Sequence, residues 1–315
     1  FLESVFGGSE ANVAVSLSIF GKKTVYVTAL PDNAVGRAAG NSLRYYGVDV
    51  QSVVKQGRLG IYFLEDGGCQ RPSQVIYDRD GSCFAVSCPD EYDWKSVFAE
   101  AGWFHVSGVS PAVSENSMLS VVRGMEEAKK AGTVISLDLN YRKKLWKYGK
   151  AAKDVMTELA KMADVLIANE EDIQNCLGIQ LKNYNTPCES YHHLCDDVKN
   201  QFPNVKSVAV TLRHSYSADR NGWSAVLCGK HGFYESAHYD IENIVERVGA
   251  GDSFAAGLIY GLTEFEDSAD GERKALDFAA AASCLKHSIP GDFNLATKDE
   301  VEVLMKGNGN GRIQR

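Results

Sequence analysis

Apolar positions along the chain follow two alternating rhythms. One recurs every three to four residues, the spacing of one helix face; the other is a short unbroken run, as in a strand covered on both sides. Glu10–Phe20 shows the first, with Val13, Leu17 and Phe20 at helical spacing and Gly21 as its stop. Thr24–Leu30, β-branched and apolar, shows the second. The alternation then continues through a helix at Ala34–Tyr46 ended by Gly47, a strand at Phe104–Ser107, a helix at Ser117–Ala131 with Gly132 beyond it, and a strand at Thr133–Leu139. A helix at Ala151–Met162, strands at Val165–Asn169 and Val208–Leu212, and helices at Gly251–Leu262 and Arg273–His287 complete it. Strand–helix–strand repetition predicts an α/β protein: a mostly parallel central sheet with helices on both faces.

Residues 57–88 break the rhythm. Leu59–Leu64, Gln74–Tyr77 and Cys83–Val86 read as short strands, parted by Asp66-Gly67-Gly68 and Asp80-Gly81, with no helix between them. This predicts a small antiparallel β lid inserted into one α/β domain spanning 1–315. An α/β sheet ordinarily opens on a strand, whereas Phe1–Phe6 runs straight into Gly7-Gly8. A first strand, with any contacts it carries, is therefore expected to lie outside this sequence. Residues 307–315, opening on alternating Gly and Asn, read as a disordered tail.

Composition narrows the classes. The 315 residues are 44% hydrophobic and 23% charged, within the range of a folded globular protein, with a net charge of −8. That charge argues against binding to nucleic acid or an anionic membrane. Any anionic ligand must then be met by particular arginines. Eight cysteines, at 69, 83, 88, 176, 188, 195, 228 and 284, include no Cys-x-x-Cys pair. With no secretory leader recognised either, they read as reduced thiols of a cytoplasmic protein. No apolar run approaches the length of a membrane span.

Candidate chemistry centres on Arg247-Val-Gly-Ala-Gly-Asp252. A helix start exposes unpaired N–H groups and the positive end of the dipole, and Gly249 and Gly251 clear the way for a phosphate. Asp252 sits where phosphate oxygens would be held. A pure phosphate-binding site has no use for that charge, whereas phosphoryl transfer needs a group to take a proton from the attacking hydroxyl. Alone, the stretch reads equally as an ordinary helix start. Four clusters accompany it. Gly7-Gly8-Ser9-Glu10-Ala11-Asn12 turns into a helix with Asn12 one turn inside. Asp138–Arg142 ends a strand, the place where open α/β sheets bind ligands, and offers Arg142. Asn169-Glu170-Glu171-Asp172 also follows a strand and offers oxygen ligands for Mg²⁺, directly or through water. Tyr62, Tyr77 and Arg79 lie in the inserted β block, residues 77 and 79 on one strand face.

Together these clusters resemble the ribokinase-like, or PfkB-type, family of sugar kinases. The resemblance rests on Gly7-Gly8-x-x-x-Asn12, Asn169-x-x-Asp172 and Gly249-Ala250-Gly251-Asp252, in order along nearly the whole chain. It implies ATP as donor, Mg²⁺, Asp252 as general base and the backbone of Gly249–Asp252 as anion hole. Arg58–Phe63, Val75–Arg79 and Asp138–Arg142 look like the 2-keto-3-deoxygluconate kinase branch of that family. There the residues matching Tyr62, Tyr77, Arg79 and Arg142 bind the substrate, with Gly8 and Asn12 expected on its hydroxyls and Asp292, after Pro290-Gly291, also expected to reach it. The implied reaction is phosphorylation of the 6-hydroxyl of 2-keto-3-deoxygluconate, with a neutral-sugar kinase or a non-catalytic sugar-binding module as alternatives. A homodimer through paired lids is the implied assembly. Two features depart from the family. Arg213–Gly222 replaces a glycine-rich turn, leaving Thr211 and Arg213 as nucleotide-binding candidates beside Asn169. Asp172 stands where Glu is usual, so Glu170 and Asp172 are expected to act on the metal mostly through water.

Overall fold

A computed structural model describes residues 2–307. The predicted tail therefore lies, beyond Gly307, outside the described residues. In chain order the elements are α1 (Ser9–Ile19), β1 (Val25–Pro31), α2 (Ala34–Tyr45), β2 (Asp49–Lys55), β3 (Ile61–Glu65), β4 (Gln74–Asp78), α3 (Cys83–Val86), α4 (Trp94–Val97), β5 (Trp103–Ser107) and α5 (Val109–Val113). There follow α6 (Glu115–Ala131), β6 (Val134–Asp138), α7 (Ala152–Ala160), β7 (Val165–Ala168), α8 (Glu170–Leu177), α9 (Pro187–Gln201) and β8 (Ser207–Ser215). The last are β9 (Arg220–Cys228), β10 (Phe233–Glu235), β11 (Tyr239–Glu242), α10 (Ala250–Glu264), α11 (Ala269–Lys286) and α12 (Lys298–Met305).

The expected α/β architecture is present. β5, β6, β7 and β8 pair in parallel, β9 joins β8 antiparallel, and β10 and β11 both pair with β9. Side chains alternate between two cores, as the strand period requires. Leu166, Ala168, Val208 and Val210 face α6 to α9, while Val165, Ile167 and Ala209 face α1, α10 and α11. Both faces of β7 are thus covered, which explains its unbroken apolar run. β1 and β2 form their own parallel pair, packed on α1 and α2. Among the described residues no ladder joins β1 to β5; both line a cavity of about 1950 Å³ that opens towards Gly8, Tyr62 and Asp292.

The inserted block is simpler than its sequence implies. β3 and β4 form a two-stranded hairpin with Tyr62 opposite Tyr77 and Phe63 opposite Ile76. The third expected strand, Cys83–Val86, is instead one helical turn: the Ser82 hydroxyl accepts from Ala85 N and turns the chain back onto α6 and β1. Strand β2, helix α9 and strands β9 to β11 add to the elements legible in the sequence. The Arg213–Gly222 segment, which stands in place of a glycine-rich turn, continues β8 into a hairpin with β9. All eight cysteines are free thiols. No helix among the described residues is long and apolar enough to cross a membrane.

Candidate active site

The site is built where α10 begins. Gly249 caps that helix at φ +80°, and a side chain on it would overlap the Asp292 carbonyl oxygen, so glycine alone fits. Ser253 N donates back to Gly249 O at 2.8 Å, the first helical hydrogen bond. The N–H groups of Ala250, Gly251 and Asp252 come before it and have no helical partner. Space beside Gly251 is open. Three free amides and a helix dipole make this end attractive to anions.

Asp252 sits among them and is buried. Its Oδ1 accepts from Ser9 Oγ and its Oδ2 from Asn12 Nδ2, each at 2.7 Å. Burial raises its pKa above the usual carboxylate value; the bonds from Asn12 and Ser9, and the charge of Arg142, oppose that rise. Asn12 is held in turn, its Oδ1 accepting from Gly8 N at 3.3 Å. Gly8 has φ +149°, and Gly7 leaves room for the Asp292 carboxylate, which a side chain there would overlap. The Gly-Gly turn therefore sets α1 against both Asp252 and Asp292.

The hairpin closes the opposite side. Tyr62 donates its hydroxyl to Asp292 Oδ1 at 2.6 Å. Burial raises the pKa of Asp292, with Tyr62 opposing, and pushes that of the Tyr62 phenol up as well. Tyr77 is Tyr62's cross-strand partner and so shares its face. β4 ends at Asp78, so Arg79 lies just past the strand rather than on its face with Tyr77; its guanidinium lies 5.5 Å from the Tyr77 ring centre. Arg79 and Arg142 form no ion pair with a described residue; Arg142 bonds only to its own neighbour's carbonyl, Tyr141 O, at 3.0 Å.

A second group gathers at the ends of β7 and β8. Asn169 caps α8, accepting from Asp172 N at 2.8 Å and donating to Asp172 Oδ2 at 3.0 Å. Asp172 Oδ1 accepts from Tyr141 N at 3.2 Å. Burial lifts Asp172 to a pKa of about 6 against the pull of Arg142. Both its oxygens are engaged, so Asp172 ties α8 to the loop carrying Arg142. Glu170 opens the same helix, partly exposed. Thr211 Oγ1 lies 3.4 Å from Ala168 O, and the Arg213 guanidinium lies 5.2 Å from the Trp223 ring centre. Burial, then the charges of Arg247 and Arg142, lower the pKa of Arg213 to about 10. The Arg142 charge is felt at Asp252, Asp172 and Arg213, so it spans both groups.

Some residues escaped the sequence reading. Ser9 bonds to the Asp252 carboxylate, and a serine after a glycine pair carries no sequence signal of that contact. Asp138 and Asn140 belong to the same stretch as Arg142. Asn140 Nδ2 reaches Ser9 Oγ and Asp138 Oδ2, both at 3.3 Å. Burial, then Asp172 and Asp252, raise the Asp138 pKa well above the usual range. A carboxylate ending a buried strand was the available signal. Among the described residues no three His, Cys, Asp or Glu side chains form a ready metal cage. Glu170 and Asp172 offer oxygen donors only, the type taken by a Mg²⁺ that keeps most of its waters.

The sequence pattern described as "pfkB family carbohydrate kinase" matches residues 2–294. The chain belongs to this family of carbohydrate kinases. It is 31% identical to a 2-dehydro-3-deoxygalactonokinase of Haloferax volcanii, over 98% of this chain and 90% of that protein. The structure of a 2-dehydro-3-deoxygluconokinase from Thermotoga maritima superposes with a TM-score of 0.89 at 42% identity, covering 97% of this kinase and 91% of that chain. A fructokinase from Xylella fastidiosa, solved with bound ATP, shares the fold alone: TM-score 0.80 at 20% identity, over 96% and 91% of the two chains. The catalysed chemistry is therefore transfer of a phosphoryl group to a sugar.

Proposed function

We propose that this kinase transfers the γ-phosphoryl group of ATP to the 6-hydroxyl of 2-keto-3-deoxygluconate, giving 2-keto-3-deoxy-6-phosphogluconate. The observation carrying the transfer is the buried Asp252 carboxylate, gripped by Ser9 and Asn12 beside three free amides. Asp252 takes the proton of the attacking hydroxyl as the new O–P bond forms and the bond to the ADP oxygen breaks. The amides of Ala250, Gly251 and Asp252 meet charge on the moving group, where preorganised donors are most effective. Asn169, Thr211 and Arg213 are the residues proposed to hold the nucleotide. Glu170 and Asp172 are the residues that would hold Mg²⁺, mostly through water, and the ion would supply neutralisation of phosphate charge.

A sugar acid is favoured over a neutral sugar by Arg79 and Arg142, two guanidiniums without a carboxylate partner of their own. Each charge-assisted bond contributes about 1.5–3 kcal/mol, so the pair favours an acid by roughly a hundredfold or more. Gly8, Asn12 and Asp292 are the residues proposed to meet the hydroxyls, with Tyr62 and Tyr77 closing over the ligand. ATP turnover with a panel of sugars tests the reading: 2-keto-3-deoxygluconate should be preferred, and a preference for fructose or ribose would overturn it.

The hairpin acts as the lid in this reading. Its outer face carries Ile61, Phe63 and Ile76, all exposed, opposite the face bearing the tyrosines. An apolar outer face suits a homodimer through paired lids, in a cytoplasmic setting that fits eight free thiols. Sedimentation should show a dimer that Ile76→Asp dissociates; a monomeric wild type would refute the pairing.

A further inference from the structure

Lys286 is the last residue of α11, where a lysine ordinarily reaches past the final carbonyls into water. Here its side chain is fully buried. The ammonium makes one hydrogen bond, to Ile289 O at 2.9 Å, and no direct ion pair among the described residues. An ammonium has three donors, so two are idle. Burial without full pairing is costly for such a group.

Its position is specific. The Lys286 Cε lies 3.2 Å from where a Gly249 Cβ would stand, directly beside the first residue of the anion hole. The carbonyl it holds belongs to the Ile289–Asp292 loop. That loop presses the Asp292 carbonyl on Gly249 and offers the Asp292 carboxylate to Tyr62. Glu246, Asp292 and Asp252 all stabilise the charged lysine, against its burial.

We propose that Lys286 is a positioning residue for phosphoryl transfer: its buried ammonium holds the Ile289–Asp292 loop against Gly249 and places a fixed positive charge beside the free amides of α10. The inference rests on the kinase reading above. The same charge favours the ionised form of Asp252, which is also faced by Glu10 on α1, Asp138 on β6, Arg142 on the loop after β6, and Asp292.

Lys286→Met and Lys286→Ala test it. Lys286→Met should lower kcat about a hundredfold, on the scale of losing one preorganised donor, with KM for the sugar little changed. The acid limb of its kcat/KM profile should move to higher pH, because Asp252 loses a neighbouring positive charge. In Lys286→Ala, methylammonium or K⁺ should restore part of the turnover by occupying the vacated space, and choline, which is too large, should not. Calorimetry with a non-hydrolysable ATP analogue should show affinity reduced about tenfold in Lys286→Met. Wild-type kcat and an unmoved acid limb in Lys286→Met would overturn the proposal. So would a loss of turnover that small cations leave unrestored while the analogue binds as in the wild type. A wild type that phosphorylates no sugar acid would refute the substrate reading alone, and the analogue titration would still decide Lys286.

Discussion

As the proposed base, Asp252 must be basic enough to take a proton and yet stay charged in a buried place beside an anion. Ser9 and Asn12 meet the second demand. Both donate to the carboxylate and favour its ionised form. Asp252→Asn keeps the shape of the side chain and removes the base, so kcat should fall by about 10²-fold or more with the melting temperature nearly unchanged. Steady-state kinetics beside a thermal melt checks this, and undiminished turnover would exclude Asp252 as the base. Titration gives a separate expectation. Activity requires the carboxylate, and burial raises its pKa, so kcat/KM should fall on acidification at a pH above that of an ordinary aspartate. Asn12→Ala removes a bond that lowers this pKa, and its acid limb should therefore lie at higher pH than that of the wild type. A pH–rate profile with the limb unmoved or moved down would contradict the role given to Asn12.

At the scale of elements, the hairpin is fastened at its tip. Ala218 N donates to Cys69 O and Cys69 N to Asp219 Oδ2, each at 2.8 Å. Arg247 Nε then donates to Ala218 O at 2.9 Å and Nη2 to Asn221 Oδ1 at 3.0 Å. Arg247 stands two residues before Gly249, so the hairpin tip, the β8–β9 turn and the start of α10 are joined in series. Asp219→Ala should free the tip: KM for the sugar rises several-fold, while kcat at saturation and thermal stability change little, because the bond is exposed. An unchanged KM would show that the tip contacts do not hold the hairpin closed. Much of this framework was legible. Glycines and an Asn or Asp at fixed spacing mark the turns into α1 and α10, and the apolar runs of β6 and β7 can only be buried strands. The remainder depended on contacts distant in sequence. In α9 the polar Glu189, His192, His193, Asp196 and Asp197 obscure the buried Leu194, Cys195 and Val198. Cys83–Val86 is apolar enough for a strand, yet one Ser82 hydroxyl commits it to a helical turn. Lys286 has the look of a solvent-facing helix end until the Ile289–Asp292 loop folds back over it. Ser9 and Asp138 become site residues only when α1 and β6 converge on α10.

The whole molecule carries eight net negative charges, and its proposed substrate is an anion. Bulk electrostatics therefore works against encounter, and recognition falls to local positive groups contributed by separate parts of the fold. Arg79 comes from the hairpin and Arg142 from the loop after β6. Gly8 and Asn12 come from α1, and Asp252 and Asp292 from the two ends of the α10–α11 pair. A ligand touching all of them bridges the β1–β2 layer, the hairpin and the central sheet, and binds only the folded arrangement. Linkage then predicts stabilisation of about 2.7 kcal/mol at a hundred times Kd, which raises the melting temperature by a measurable few degrees. The shift should appear with 2-keto-3-deoxygluconate and no nucleotide. It should be much smaller with fructose at the same concentration, since a neutral sugar leaves both guanidiniums unpaired. Arg79→Met and Arg142→Met should each abolish most of the acid-induced shift while leaving the unliganded melting temperature close to the wild-type value, because neither arginine forms an ion pair among the described residues. Equal shifts with acid and neutral sugar would mean that the arginines do not read the carboxylate. A shift that survives in both variants would mean that other groups hold the carboxylate.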